Sequence, residues 1–194
     1  MLTRKIFLPH KARHQIYLGV QDIKEFKGKD LLQNPNTQAF EIPGAITNAE
    51  VVLIATPPTA IVEILKIAGN LSGKIVIDAT NTTRPNPDMA YPTAYHYLVA
   101  QSQAEVVKCF NSTGFENMKN PTYKGEGIDM FMAGDSPKAK EVAKQLALDC
   151  GFSTCWDFGK GDKVELLEKF ALSWINLAIM QGHGRNIAFK VVKR

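Results

Sequence analysis

Three runs constrain the fold more than anything else in the chain. They are Ala49-Glu50-Val51-Val52-Leu53-Ile54-Ala55-Thr56-Pro57, Gly73-Lys74-Ile75-Val76-Ile77-Asp78-Ala79-Thr80-Asn81 and Glu105-Val106-Val107-Lys108-Cys109-Phe110-Asn111-Ser112-Thr113-Gly114. Each is apolar, rich in β-branched residues, and stops at a small polar cluster. Buried parallel strands read this way when helices cover both faces of the sheet. Ligands of such sheets sit beyond the carboxyl ends of the strands. The three polar clusters are therefore expected to line one crevice. The sequence has no Gly-x-Gly-x-x-Gly turn, the usual phosphate cradle of a dinucleotide-binding sheet.

A chain of 194 residues fits one domain with a small appendage. At that size it buries roughly 70% of its unfolded surface without a disulfide or metal staple. A hydrophobic content of 45% and a charged content of 22% are ordinary for a soluble globule. A net charge of +4 is too mild to indicate a nucleic-acid partner. The 3 cysteines form no Cys-x-x-Cys pair, which argues for a reducing compartment, and the 4 histidines show no metal-ligand spacing. No signal peptide is visible, and no apolar run reaches the ~20 residues of a membrane helix, so the reading is cytoplasmic.

Along the chain, His14 to Leu18 predicts a strand ending at Gly19-Val20-Gln21-Asp22, and residues 23–33 a weak helix. Thr37 to Ile42 predicts a strand closed by Pro43-Gly44, with a brief helix or turn over Ala45 to Ala49. Pro57-Pro58 opens a helix that ends at Gly69. Residues 82–97, with Arg84-Pro85-Asn86-Pro87, read as a loop, as do residues 117–128. Tyr95 to Gln103 is a further helix. Asp129 to Gly134 is a strand, and Ser136-Pro137 caps a helix that Gly151 stops. Phe152 to Phe158 is a last strand. Asp162 and Glu165 form the pattern of a capping box. The helix that follows, Val164 to about Met180, is apolar nearly all round and is expected to be buried, with Trp174 and Phe170 as central anchors of a homodimer.

The order of these pieces resembles the NADP oxidoreductase family typified by NADPH-dependent reductases of the 5-deazaflavin coenzyme. The matching stretches are Val52 to Pro57, Lys74 to Asn81, Val107 to Gly114, Met130 to Asp135, and Leu166 through Trp174 to Lys190. The resemblance implies an α/β Rossmann-like doubly wound, mostly parallel sheet over residues 1–160 and a carboxy-terminal helical cap over 161–194. It implies NADP as cofactor and hydride transfer to a deazaflavin or flavin-like acceptor. The family opens with a strand and a glycine-rich turn. Leu2 to Leu8 looks like the tail of the helix that follows them, which puts the strand and turn upstream of Met1. Weak NADP(H) binding by these 194 residues is the expectation. A non-catalytic dinucleotide-fold module acting by binding or dimerisation is the alternative.

Placed on this sequence, the cofactor-binding candidates are Gly19 and Gln21 at the adenosine end, Ala55, Thr56 and Pro57 after the next strand, Asn81, and Asn111-Ser112-Thr113-Gly114. Small residues let a flat ring approach the backbone. Asn, Ser and Thr offer neutral donors and acceptors suited to a nicotinamide. No Ser-His-Asp or Cys-His arrangement stands out, and the catalytic residues are unknown from sequence. Hydride transfer between flat rings needs stacking and orientation more than a proton relay. In Gly182-His183-Gly184-Arg185 the glycines permit close backbone approach, while His183 and Arg185 offer partners for an acidic substrate.

Overall fold

The apolar runs become strands whose two faces both meet helices. The computed structural model describes residues 14–82 and 90–194. The expected helix tail at Leu2–Leu8 and the proline-rich stretch 84–87 lie outside the described residues. In chain order the elements are β1 (Ile16–Val20), β2 (Thr37–Glu41), α1 (Ile42–Asn48), β3 (Val51–Ile54), α2 (Ile61–Ile67), β4 (Ile75–Asp78), α3 (Ala94–Gln101) and β5 (Glu105–Cys109). They continue with α4 (Phe115–Lys119), β6 (Thr122–Tyr123), β7 (Glu126–Gly127), β8 (Asp129–Ala133), α5 (Pro137–Asp149), β9 (Thr154–Asp157) and α6 (Val164–Ile175).

Among the described residues the central sheet has five strands in the order β3-β4-β5-β8-β9. All neighbours are parallel except β5 and β8. The pleat sends alternate side chains to opposite faces. Val76, Val106 and Phe131 pack with Ile61, Tyr95 and Leu98 and with Val164 and Leu167 of α6. Ile75, Ile77, Val107 and Met130 pack on the other face with Met118 and α5. Each such aliphatic side chain contributes about 1.5–3 kcal/mol on burial. Helix α5 approaches closely because its buried stripe is Ala139, Ala143 and Ala147. Ser136 caps it, its hydroxyl accepting from the Ala139 N–H at 3.0 Å. Among the described residues, the two-stranded parallel pair β1-β2 is not hydrogen-bonded to the central sheet.

Several expectations are corrected. Residues 23–33 hold only a 3₁₀ turn, Lys29–Gln33, with no buried residue to reward a longer helix. Pro43-Gly44 does not close β2 but sits in the first turn of α1. Residues 117–128 are not an open loop: α4 leads into a hairpin whose tip, Lys124 (φ 51°) and Gly125 (φ 85°), is left-handed at both positions. Asp162 does not cap α6. Gly161–Lys163 forms a 3₁₀ turn first, Lys163 takes the cap position, and Asp162 pairs with Lys163 at 2.6 Å.

Helix α6, continued by a wider π-type turn over Asn176–Met180, is buried on one side only. Val164, Leu167, Ala171, Trp174 and Ala178 face inward, while Leu166 (53% exposed), Ile179 (50%) and Met180 (67%) face out. Trp174 and Phe170 are used inside the chain rather than offered to a partner. Trp174 Nε1 donates to the Ile187 carbonyl at 2.7 Å, and the Phe170 ring meets Phe131 edge-on and Phe189 at a tilt, with ring centres 4.8 Å and 4.5 Å apart.

Candidate functional site

The carboxyl ends of β3, β4 and β5 gather polar atoms that the protein leaves unpaired. Among the described residues, Thr56 Oγ1, Thr80 Oγ1, Asn81 Oδ1, Thr82 Oγ1 and Asn111 Oδ1 are buried without a hydrogen-bond partner. Leaving such a group unpaired costs about 1–3 kcal/mol. Five of them at neighbouring strand ends make this the candidate site. The backbone is also unusual here, since Phe110, at the end of β5, has φ 63°. A bulky residue held in the left-handed region is strained, and such strain collects at binding sites.

Beneath these atoms lies an ionic cluster that the sequence analysis missed. Asp78 and Lys108 are register partners on β4 and β5, and both are fully buried. Lys108 Nζ donates to Asp78 Oδ2 at 3.0 Å and to the Thr80 carbonyl at 2.5 Å. It also lies 2.7 Å from Glu168 Oε1 of α6, an ion pair whose angle does not make a hydrogen bond. Asp78 Oδ1 accepts from the Thr80 N–H at 2.9 Å. Glu168 Oε2 accepts from the Thr82 N–H at 3.1 Å and from Asn111 Nδ2 at 3.4 Å. One lysine and two carboxylates thus fix the turns carrying Thr80, Thr82 and Asn111. The signal was present in the sequence: opposite charges stand near the ends of two otherwise apolar runs.

The other predicted residues fall into distinct settings. Gly19, Ala55 and Thr56 line one cavity of about 770 Å³, together with Ala79 and Phe110. Asn81 and Asn111 stand at the ends of β4 and β5, where Glu168 ties the two turns together. Pro57 and Gln21 are exposed. Asp22 only turns the backbone, its Oδ1 accepting from the Lys24 N–H at 2.7 Å. Ser112 is directed at Met130 Sδ, 3.6 Å away, and Thr113 accepts from Asn117 Nδ2 at 2.6 Å. Gly114 is a packing position, since a Cβ there would lie 2.5 Å from the Trp174 ring. Gly114→Ala is therefore expected to cost about 1–3 kcal/mol. Thermal unfolding tests this, with Tm falling about 2–4 °C per kcal/mol in a chain of this size.

The Gly182-His183-Gly184 segment closes the last helix rather than approaching another backbone. Gly182 (φ +73°) and Gly184 (φ +81°) are left-handed and open to space, and Gly184 N–H bonds back to the Ala178 carbonyl at 3.1 Å. Arg185 Nε donates to Glu116 Oε1 at 2.7 Å, with its guanidinium 5.6 Å from the Trp174 ring centre. That hydrogen bond holds the Glu116 carboxyl below its ordinary 4.5. A depressed carboxyl stabilises the fold above its unfolded value and loses that contribution as pH falls through the folded one. Tryptophan emission is expected to change as pH drops below about 4.5, and Glu116→Gln to abolish that transition.

The thiols are unreactive by position. Burial raises the Cys109 thiol well above its ordinary value, and burial, then the Asp149 charge, pushes Cys150 up to about 12. An aromatic disulfide reagent at pH 8 is expected to label either only after denaturation.

The cofactor implied by the resemblance is NADP(H). The unpaired strand-end atoms fit its nicotinamide and ribose, which need neutral donors and acceptors. Among the described residues the pyrophosphate is less well served. Phosphates bind at helix N-termini through free N–H groups. The turns opening α1 and α2 carry Pro43 and Pro57-Pro58, and proline has no N–H.

The family described as NADP oxidoreductase, coenzyme F420-dependent, matches residues 6–82. Solved structures share the fold over nearly the whole chain. A candidate F420-dependent NADP-reductase from Arthrobacter sp. FB24 is 23% identical with a TM-score of 0.79, covering 93% of this chain and 89% of that one. An imine reductase of Streptomyces aurantiacus is 14% identical with a TM-score of 0.60, covering 86% and 55%. A reductive aminase from Aspergillus terreus, in complex with NADPH4, cyclohexanone and allyl amine, is 17% identical with a TM-score of 0.55, covering 80% and 50%. No curated protein matches the sequence. The chain thus has the Rossmann-like α/β fold of these reductases and, over residues 6–82, resembles the NADP oxidoreductase, coenzyme F420-dependent, family.

Proposed function

We propose that the chain belongs to an NADP-dependent oxidoreductase that transfers hydride between NADP(H) and a deazaflavin or flavin-like acceptor. The observation that carries this reading is the set of unpaired polar atoms at the ends of β3, β4 and β5. When bound, NADP(H) supplies the hydride. Thr56 and Asn81 would hold its neutral polar groups by hydrogen bonds, and Asn111, itself held by Glu168, would offer a third partner. The buried Lys108 cluster keeps these turns rigid, as the near-attack geometry of hydride transfer requires. Ala55 leaves room for the ring.

The free cysteines suit a cytoplasmic enzyme. Among the described residues no helix is long and apolar enough to cross a membrane. The outer face of α6, with Leu166, Leu172, Leu177, Ile179 and Met180, is the surface for a homodimer, since soluble monomers rarely expose large apolar patches. The separation of β1-β2 from the central sheet favours a second reading, a non-catalytic binding module. NADPH oxidation followed at its absorbance band, with a deazaflavin and with flavin mononucleotide as acceptors, decides between them. Turnover that saturates only at high NADPH is expected. Absence of oxidation with both acceptors at millimolar NADPH would leave the binding module.

A further inference from the structure

The cluster of Asp78, Lys108 and Glu168 holds more carboxylate than its lysine needs. One carboxylate balances one ammonium, and Asp78 already does so at 3.0 Å. Glu168 is the second, set on the inward stripe of α6 between Leu167 and Ala171 and only 7% exposed. Desolvating a further charge is costly, and the fold gains little from it. Glu168 Oε1 lies 2.7 Å from Lys108 Nζ but accepts no hydrogen bond. All four carboxylate oxygens face an N–H donor or the ammonium, as acceptor-only groups require. This second charge lies beside the candidate site. Thr80, Thr82 and Asn111 carry three of the five unpaired strand-end atoms, and each is bonded to the cluster. Asn111 gives its Nδ2 to Glu168, so its unpaired Oδ1 is the end left for a ligand.

We propose that Glu168 biases this site toward the oxidised form of the nicotinamide cofactor, and so makes NADPH held there a stronger hydride donor. The inference rests on the cofactor reading given above. A hydride carries two electrons with its proton. The deazaflavin or flavin-like acceptor gains them, and the nicotinamide is left with one positive charge where NADPH has none. A fixed negative charge behind Asn111 favours that product. Burial keeps water from screening it. Lys108 does not cancel it, because Asp78 already matches that ammonium. Glu168 is thus a positioning residue, acting through its charge and through Asn111. By linkage, whatever favours the oxidised form tightens NADP+ relative to NADPH by the same factor. The adenosine and the phosphates are common to both forms and drop out of that ratio.

Calorimetric titration of the full chain with NADP+ and with NADPH, no acceptor present, reads the ratio directly. NADP+ is expected to bind the parent about tenfold more tightly than NADPH. Glu168→Gln keeps an acceptor for Asn111 and drops the charge, and is expected to lower that preference to about twofold or less. Glu168→Asp keeps the charge on a shorter stem, and is expected to weaken both forms alike while the ratio holds. A purely structural Glu168 would change both affinities by one factor in either variant. Equal affinities in the parent overturn the inference whether or not Glu168→Gln folds, and so does a ratio unchanged in Glu168→Gln. Absence of binding of both forms at millimolar concentration overturns the cofactor reading together with the inference. Binding of both with an indifferent ratio overturns the inference alone.

Discussion

Lys108→Met is expected to destabilise the chain by about 3–5 kcal/mol, because it removes the only cation that the described residues place in this buried cluster and deprives two carboxylates of it. The methionine fills most of the same volume, so lost packing is a minor part of the effect. Asp78 is fully buried and Glu168 is 7% exposed, so water cannot replace the ammonium. Adding Glu168→Gln to Lys108→Met should recover part of the loss. A double-mutant cycle by urea unfolding measures the coupling. Additive effects would mean that Lys108 and Glu168 do not act as a unit.

Asn81→Leu and Thr56→Val are expected to separate function from stability. Asn81 Oδ1 and Thr56 Oγ1 are buried without partners, so the apolar replacements remove a cost rather than a bond. Stability is expected to hold or to rise by about 1 kcal/mol. Turnover with NADPH is expected to fall about tenfold for each, the loss of a single positioning hydrogen bond of about 1.4 kcal/mol in the transition state. Chemical denaturation and the oxidation assay on the same preparations test both halves. A stability loss with unchanged turnover would make these atoms structural.

The fold was largely legible in the sequence because buried parallel strands announce themselves as unbroken apolar runs. β3, β4 and β5 and the capped start of α5 follow from Val51–Ile54, Ile75–Asp78, Glu105–Cys109 and Ser136-Pro137. The site was legible only in part. Thr56, Asn81 and Asn111 stand out as candidates in the sequence because they end those runs. The Lys108 cluster was not, because pairing Asp78 with Lys108 depends on strand register and reaching Glu168 depends on how α6 docks, neither of which is a local property. Gly114 was read as a ligand position, although its smallness serves Trp174, sixty residues away in sequence. The hairpin after α4 escaped notice because Lys124 is an unusual residue for a left-handed turn position. Within one chain the sheet covers only one stripe of α6, and the apolar residues of its other face are exposed.

The central claim is that the nicotinamide end of NADP(H) occupies the turns after β3, β4 and β5. Backbone amide NMR during an NADPH titration tests it most directly, because it registers weak binding and names the residues affected. The account predicts shifts concentrated at Thr56, Thr80, Thr82 and Asn111, growing into the millimolar range and largely lost in Asn81→Leu. Shifts confined to other parts of the chain, or an Asn81→Leu titration identical to that of the parent, would contradict it.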